Sequence, residues 1–248
     1  MQNSVVLLIA GFGVLVSSAA ANSQEIFQPQ EKYKHYTFLG AGAAIGESVF
    51  SSDGSEFSVK PYIFHQSDYG FIDGSLANLA LTPWFGLSGN IRLSEVSDDF
   101  TDIPSGIDNR DSSGELGVTL GTVGARLTYL HDVTDKHNGY ELQLHLGRAF
   151  DTPLDKLTIA PYVELNYRDD KLSQHIYSVS ANEASASGLS VFEANDTWVY
   201  KGGFTALYDI SRHILGVSKL ELEYHDSQSP LVQNDLGWKF SVGAAYRF

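Results

Sequence analysis

Charged side chains recur at every second position along otherwise apolar stretches of this chain. Glu141 and His145 alternate with Leu142, Leu144 and Leu146. Glu164 and Arg168 alternate with Val163, Leu165 and Tyr167; Lys219, Glu221 and Glu223 alternate with Leu220, Leu222 and Tyr224. Lys60, Arg92, Arg126, Lys201, Lys239 and Arg247 hold the same kind of position in their own segments. Period-two placement sends these groups to one face of a strand and the apolar residues to the other. Charges gathered on one face do one of two kinds of work. Buried together, opposite signs pair and close a polar interior, because an unpaired buried charge is costly. Ringed around water, they select solutes in a pore. Both signs occur here, which favours the paired, closed interior.

Other constellations point to less. Asp98, Asp99, Asp102, Asp108 and Asp111 crowd one segment. Carboxylate oxygens of this kind suit Ca²⁺, but the spacing lacks the Gly and Glu positions of an EF-hand loop. A solvated acidic loop is the expectation. None of the eight His residues forms a His-x-x-x-His or His-Glu-x-x-His pattern; His131 and His137 flank a plain connection. No Ser, His and acid fall together by spacing, and no Gly-rich phosphate loop appears. The expectation is a non-enzymatic protein with no cofactor, metal site or catalytic residue.

The elements that must position the charges are strands. The last eleven residues put Trp238, Phe240, Val242, Ala244, Tyr246 and Phe248 on one parity, with Lys239, Ser241, Gly243, Ala245 and Arg247 on the other. In water the greasy face would need a second protein layer; in a bacterial outer membrane, lipid is that layer. Similar segments recur from Tyr36 onward: Tyr36–Ile45, Phe57–Phe64, Phe71–Leu81, Trp84–Leu93, Glu115–Leu130, Tyr140–Phe150, Leu157–Arg168, Leu172–Val179, Trp198–Tyr208 and a stretch around Leu220–His225. With Glu115–Leu130 split in two, and Leu172–Val179 counted, they make twelve strands; ten is the alternative. No helix is expected. The predicted fold is all-β, a closed antiparallel transmembrane barrel, since an open edge in lipid leaves backbone groups unsatisfied. Trp84, Tyr129, Tyr140, Tyr167, Trp198, Tyr208, Tyr224 and Trp238 suit the aromatic girdles of such a wall. Arg168–Lys171 and Ile210–Arg212 read as short periplasmic turns, Ser180–Thr197 and Asp226–Asp235 as long extracellular loops. The long–short alternation fails around Ser94–Gly114.

Composition agrees. The net charge of −14 argues against nucleic acid as a partner. Cys is absent, which removes disulfides and a lipoprotein anchor. Mean hydropathy of −0.12 is too polar for a helical membrane protein and fits strands that wet one face. Val5–Val16 is apolar and followed by Ser-Ser-Ala-Ala-Ala. It is shorter than the roughly 20 residues of a membrane helix and reads as a secretory signal over 1–21. A short periplasmic segment, 22–35, precedes the barrel, 36–248. The predicted location is the outer membrane, reached through the periplasm, with outer-membrane lipid and lipopolysaccharide as surroundings.

Ile176-Tyr177-Ser178-Val179-Ser180, followed by Ala181 to Leu189 with Glu183 and Ala184, resembles a loop of the MltA-interacting protein / OmpV (MipA/OmpV) family. Asp226 to Val232, with Ser229-Pro230, is similar to the family element before its last strand. Asp132-Val133 and His137-Asn138-Gly139 resemble one of its turns, and Tyr246-Arg247-Phe248 its usual ending. Ile176 stands where the family usually has an aromatic residue. The resemblance implies an outer-membrane barrel with a scaffold role between murein hydrolases and synthases. A small-solute pore and a surface adhesin or antigen are the alternatives. The terminal Phe248, with Phe240, Val242, Ala244 and Tyr246 before it, looks like the signal read by the barrel assembly machinery.

Overall fold

The computed structural model describes residues 33–98 and 102–248. The signal peptide expected over 1–21, and all but the end of the segment 22–35, lie outside the described residues.

The strands are β1 (Tyr36–Glu47), β2 (Glu56–Ser67), β3 (Gly70–Asp73), β4 (Leu76–Thr82), β5 (Phe85–Arg92), β6 (Ser113–Thr122), β7 (Ala125–Asp132), β8 (Tyr140–Gly147), β9 (Phe150–Asp151), β10 (Leu157–Arg168), β11 (Thr197–Asp209), β12 (Ile214–Asp226) and β13 (Gly237–Arg247). All pairings are antiparallel and run between neighbours in sequence, apart from β8 with β10, which steps over the short β9, and the seam where β1 meets β13. β9 is a two-residue continuation alongside β10, below β8. The other twelve strands close into one barrel through β10–β11 and β1–β13. Closure removes the sheet edge that lipid could not satisfy, except above the short β3–β4 hairpin, where β2 and β5 run on without a neighbour among the described residues.

Twelve is reached by a different route from the one the sequence suggests. Phe71–Leu81 is two strands, β3 and β4, folded at Gly74–Ser75, with Gly74 at φ 63 in the left-handed region that glycine tolerates. Leu172–Val179 is no strand. Asp170–Tyr177 forms helix α1, and Ala181–Ser187 forms a second helix, α2. Leu172, Ser173, Ile176 and Tyr177 are the buried side chains of α1, a helical spacing that the alternating reading overlooked. Asp169 caps α1, its carboxylate accepting from Leu172 N. Ser180 and Glu183 form a capping box on α2, and Gly188, at φ 77, ends it. Arg168–Lys171 is therefore not a short turn. It opens one long connection, 169–196, on the same end as the loops 48–55, 93–112, 133–139 and 227–236. With β3 and β4 counted separately, the alternation no longer fails at 93–112. The turns 68–69, 83–84, 123–124, 152–156 and 210–213 lie at the opposite end, with the C-terminus.

Outward positions carry the apolar band, including Leu39, Val59, Leu79, Leu87, Leu116, Leu120, Phe240 and Val242, all exposed. Tyr129, Tyr140, Tyr167 and Trp198 follow one another around the wall near the long-loop end, ring to ring at 5.5, 6.3 and 5.0 Å. Tyr208 and Tyr246 belong to the opposite end, where His213 stacks on Tyr246 at 5.6 Å. From Trp198 to Tyr208 a strand rising about 3.3 Å per residue and tilted near 40° covers roughly 25 Å of height, the thickness of an outer-membrane apolar band. Among the described residues no helix is long and apolar enough to cross a membrane.

Candidate functional site

The register sends Lys60, Arg92, Arg126, Glu141, Glu164, Arg168, Lys201, Lys219, Glu221, Glu223, Lys239 and Arg247 to the inner face of the wall. The pairs Arg126↔His145, Glu164↔His145, Glu164↔Lys201, Lys201↔Glu223 and Glu221↔Lys239 lie side by side there. They sort into three levels.

The level beneath the long loops is a continuous ion network. Arg92 donates Nε to Glu115 at 2.7 Å, Nη2 to Glu141 at 2.9 Å and Nη1 to Glu95 at 3.2 Å. Arg168 donates Nε to Glu141 at 3.0 Å and grips both oxygens of Glu95 at 2.7 and 3.0 Å. It also donates to the Tyr177 hydroxyl at 2.6 Å, which lies 2.9 Å from His225 Nδ1. Arg168, Glu115 and Glu141 are each almost fully buried. Guanidinium suits this place because its fixed fork satisfies several carboxylates at once. Burial alone would raise the Glu95 carboxyl; Arg168 and Arg92 outweigh it and hold Glu95 well below the usual carboxylate range.

Above this network sits a lid. Val49, Phe50, Val96, Ile103, Ile107, Leu172, Ile176, Tyr177, Val179, Ala194 and Leu231 form one buried apolar cluster drawn from four of the long loops. The family-like residues are its framework. Tyr177 carries the Arg168 and His225 contacts, and Val179 pairs with Phe192. Ser229 donates its hydroxyl to Tyr177 O at 2.5 Å, and Pro230 O accepts from Gln233 at 2.5 Å. Ala184 packs against the cluster. Glu183 accepts from Arg110 Nη1 at 2.7 Å and Ser180 N at 2.8 Å. The Asp132 carboxylate collects the backbone N–H groups of Thr134, Lys136, His137 and Asn138 at 2.7–2.9 Å, which folds the 133–139 loop around one acid.

Burial would raise the Glu183 carboxyl, but its bonds from Arg110 and Ser180 lower it to about 2. A depressed folded value contributes stability above the unfolded value of 4.5, lost as pH falls through the folded one. Hydrogen-exchange protection of α2 should therefore drop between about pH 4.5 and 2. In Glu183→Gln that drop should flatten, with protection already reduced at neutral pH. Identical profiles for the two proteins would refute the assignment.

The middle level is looser. Lys219 reaches Glu221 at 2.6 Å, Tyr162 donates its hydroxyl to Glu221 at 2.5 Å, and Lys60 lies 3.8 Å from the same carboxylate. Lys201 stands 3.9 Å from Glu223, His145 3.1 Å from Glu164, and Arg126 2.8 Å from Asp73. Lys239 is exposed to the interior, with no carboxylate in ion-pair range among the described residues. A cavity of about 740 Å³ runs through this level, reaching up to Phe50, Arg92 and Glu95 and down to Tyr36 and Leu207. Arg247 forms the third level, at the far rim, where it pairs with Asp209 at 2.6 Å and donates to Arg212 O at 2.7 Å.

Glu95, Glu115, Asp73 and Asp209 escaped the sequence reading. Glu115 was legible, since Glu115, Gly117 and Thr119 alternate with Leu116, Val118 and Leu120. Glu95 had no such signal, because it enters from a loop. The acidic segment does not converge: Asp98 accepts from Asn109, Asp111 pairs with Lys136 at 2.8 Å, and Asp99 lies outside the described residues. Among the described residues no group of three or more His, Asp or Glu gathers as a metal site. His131 sits on the outer parity of β7, whereas His137 is buried inward beside Ser113 and Glu115.

Phe240, Val242, Ala244 and Tyr246 face outward on β13, and Phe248 N donates to Thr37 O at 3.1 Å across the seam.

The family model for the MltA-interacting protein MipA matches residues 39–248, from the fourth residue of β1 through the end of the wall. A protein of Escherichia coli (strain K12) whose name describes an outer membrane protein, YiaT, is 29% identical over 232 residues, covering 85% of this chain and 90% of the relative. Its counterpart in Escherichia coli O157:H7 matches equally. Among solved structures, the outer membrane protein OprG of Pseudomonas aeruginosa aligns over 87% of this chain and 97% of its own, at 12% identity and a TM-score of 0.30. The N-terminal β-barrel domain of Pseudomonas aeruginosa OprF aligns over 87% and 98%, at 11% identity and a TM-score of 0.29. The family match spans the closed wall, the charged interior and the lid together, and the chain is an outer-membrane β-barrel belonging to the MltA-interacting protein MipA family.

Proposed function

We propose that this protein is a non-enzymatic structural barrel of the outer membrane that serves as a scaffold for murein-processing machinery. The observation that carries the reading is the double closure of the long-loop end. The Arg92–Glu115–Glu141–Arg168–Glu95 network spans the interior, and the apolar lid lies over it. A wall stabilised in this way is built to persist rather than to pass solutes, since porins with an aqueous channel have roughly 16–18 strands. Murein lies on the periplasmic side, so the docking face of a scaffold is the end with short turns, 68–69, 83–84, 123–124, 152–156 and 210–213. The family's name supplies the partner, MltA, and the resemblance read in the sequence makes its class the murein hydrolases.

Purified MltA added to the folded barrel in detergent micelles should bind saturably. The binding should weaken when the 152–156 and 210–213 turns are replaced by Gly-Ser linkers. An absence of binding at concentrations where micelle-only controls are silent would reject the scaffold.

A further inference from the structure

The wall is complete in its lower half and interrupted in its upper half. β3 pairs with β2 only over Phe64–Ser67, and Gly74 N adds one bond to Ile63 O. From Glu56 to Tyr62, β2 has no strand beside it on that flank among the described residues. β4 reaches β5 only up to the pair Leu76↔Asn90, so Ile91 and Arg92 are likewise open on the facing flank. The opening has the Gly74–Ser75 turn as its sill. Its lintel is the described chain at Asp102, whose O accepts from Ser52 N at 2.7 Å. Two missing strands leave three interstrand spacings, about 14 Å in a regular wall.

Ile63 O accepts from Gly74, so the alternation of β2 aims the backbone groups of Pro61, Val59 and Phe57 at the same opening. Pro61 has no N–H to leave unpaired there, which is where a strand tolerates proline. Phe57 and Val59, 73% and 76% exposed, flank the opening on the lipid side. The cavity reaches it: Pro61, Ile63, Ser75, Ile91 and Leu93 line the same space as Lys60 and Lys239. Tyr62, only 7% exposed, also lines that space, and its hydroxyl has no hydrogen-bond partner among the described residues. Lys60 and Lys219 share Glu221, and Lys239, its register partner across the strand pair, has no carboxylate within ion-pair range among the described residues, so three ammonium groups face one carboxylate here.

We propose that the opening between β2 and β5 is a side entrance from the outer leaflet, through which a single-chain amphipath with an anionic head enters the barrel. Its head is held by Lys60, Lys239 and the Tyr62 hydroxyl, and its chain lies along Pro61, Ile63, Ile91 and Leu93. The cavity lies within the 300–1,000 Å³ range of small-ligand pockets. This site neither requires nor opposes a scaffold role.

The test uses the folded full chain in phosphatidylcholine vesicles and dodecanoate carrying a terminal diazirine. Photolabelling should fall on the peptides Lys60–Phe64 and Ile91–Leu93. It should saturate, and yield to excess dodecanoate about tenfold more readily than to dodecanol, the worth of a charge-assisted bond. Ser75→Trp, on the sill, should slow labelling, and Lys60→Met/Lys239→Met should weaken it about tenfold, with folding checked by heat-modifiable migration. If the double variant does not fold, Ser75→Trp and the dodecanol comparison decide. Labelling that does not saturate, is equal in all folded variants, or yields equally to dodecanol means lipid contact only and overturns the proposal. Displacement by inorganic phosphate as readily as by dodecanoate means a water-fed anion site and overturns it as well.

Discussion

Replacing Arg168 by Met should lower unfolding stability by about 3–5 kcal/mol, the cost of breaking a buried ion pair by removing one partner. Arg168 is the joint between wall and lid. It grips Glu95 from the 93–112 loop, Glu141 from β8 and the Tyr177 hydroxyl from α1. Without it, Glu141 keeps Arg92, but Glu95 keeps only the longer 3.2 Å contact, and the network holds three carboxylates against one guanidinium. The lid should loosen with it, because Tyr177 lies in the apolar cluster and bonds His225 as well. The measurement is urea unfolding in micelles, with proteolysis of the 169–196 connection as the local readout. Arg247→Met is the control. Its pair with Asp209 is partly exposed, and such pairs are worth about 0–1 kcal/mol. Equal losses for the two variants would show that the upper network carries no special weight.

Deleting Phe248 should remove most of the heat-modifiable, membrane-inserted protein, a several-fold loss, whereas Lys239→Gln should leave insertion intact. Phe248 extends the seam by one hydrogen bond, to Thr37 O, and packs edge-on against Tyr246 at 5.0 Å. Its 75% exposed ring looks outward, where an assembly partner or lipid meets it. We propose that Phe240, Val242, Ala244, Tyr246 and Phe248 form the assembly address of this barrel. Lys239 shares their strand but points inward and has no ion pair among the described residues, so its loss removes no described seam contact. The readout is outer-membrane yield in cells, boiled against unboiled. Normal insertion of the deletion variant would reduce the last strand to ordinary wall.

The wall was legible because its rule is strict. A strand with lipid on one side and charge on the other must alternate, and Leu157–Arg168 or Trp238–Phe248 allow one reading. The β3–β4 hairpin was not legible, since Phe71–Leu81 is apolar enough to pass for one strand and its four-residue arm is too short to show a period. Helix α1 was misread for a related reason. Leu172, Ile176 and Val179 fit an apolar strand segment as well as a helix, and the deciding signal was the Asp169 cap. The interior charges could be assigned to a face, but which carboxylate meets which guanidinium depends on the staggering of strands far apart in sequence. Glu95, delivered by a loop, had no periodicity to reveal it.

Single-channel recording of the purified, folded full chain in planar bilayers tests the sealed interior most directly. The network and lid predict a quiet membrane for the wild type, and discrete conductance steps for a protein carrying Arg92→Met and Arg168→Met together. Steady open-channel conductance from the wild type, unchanged in the double variant, would contradict the account.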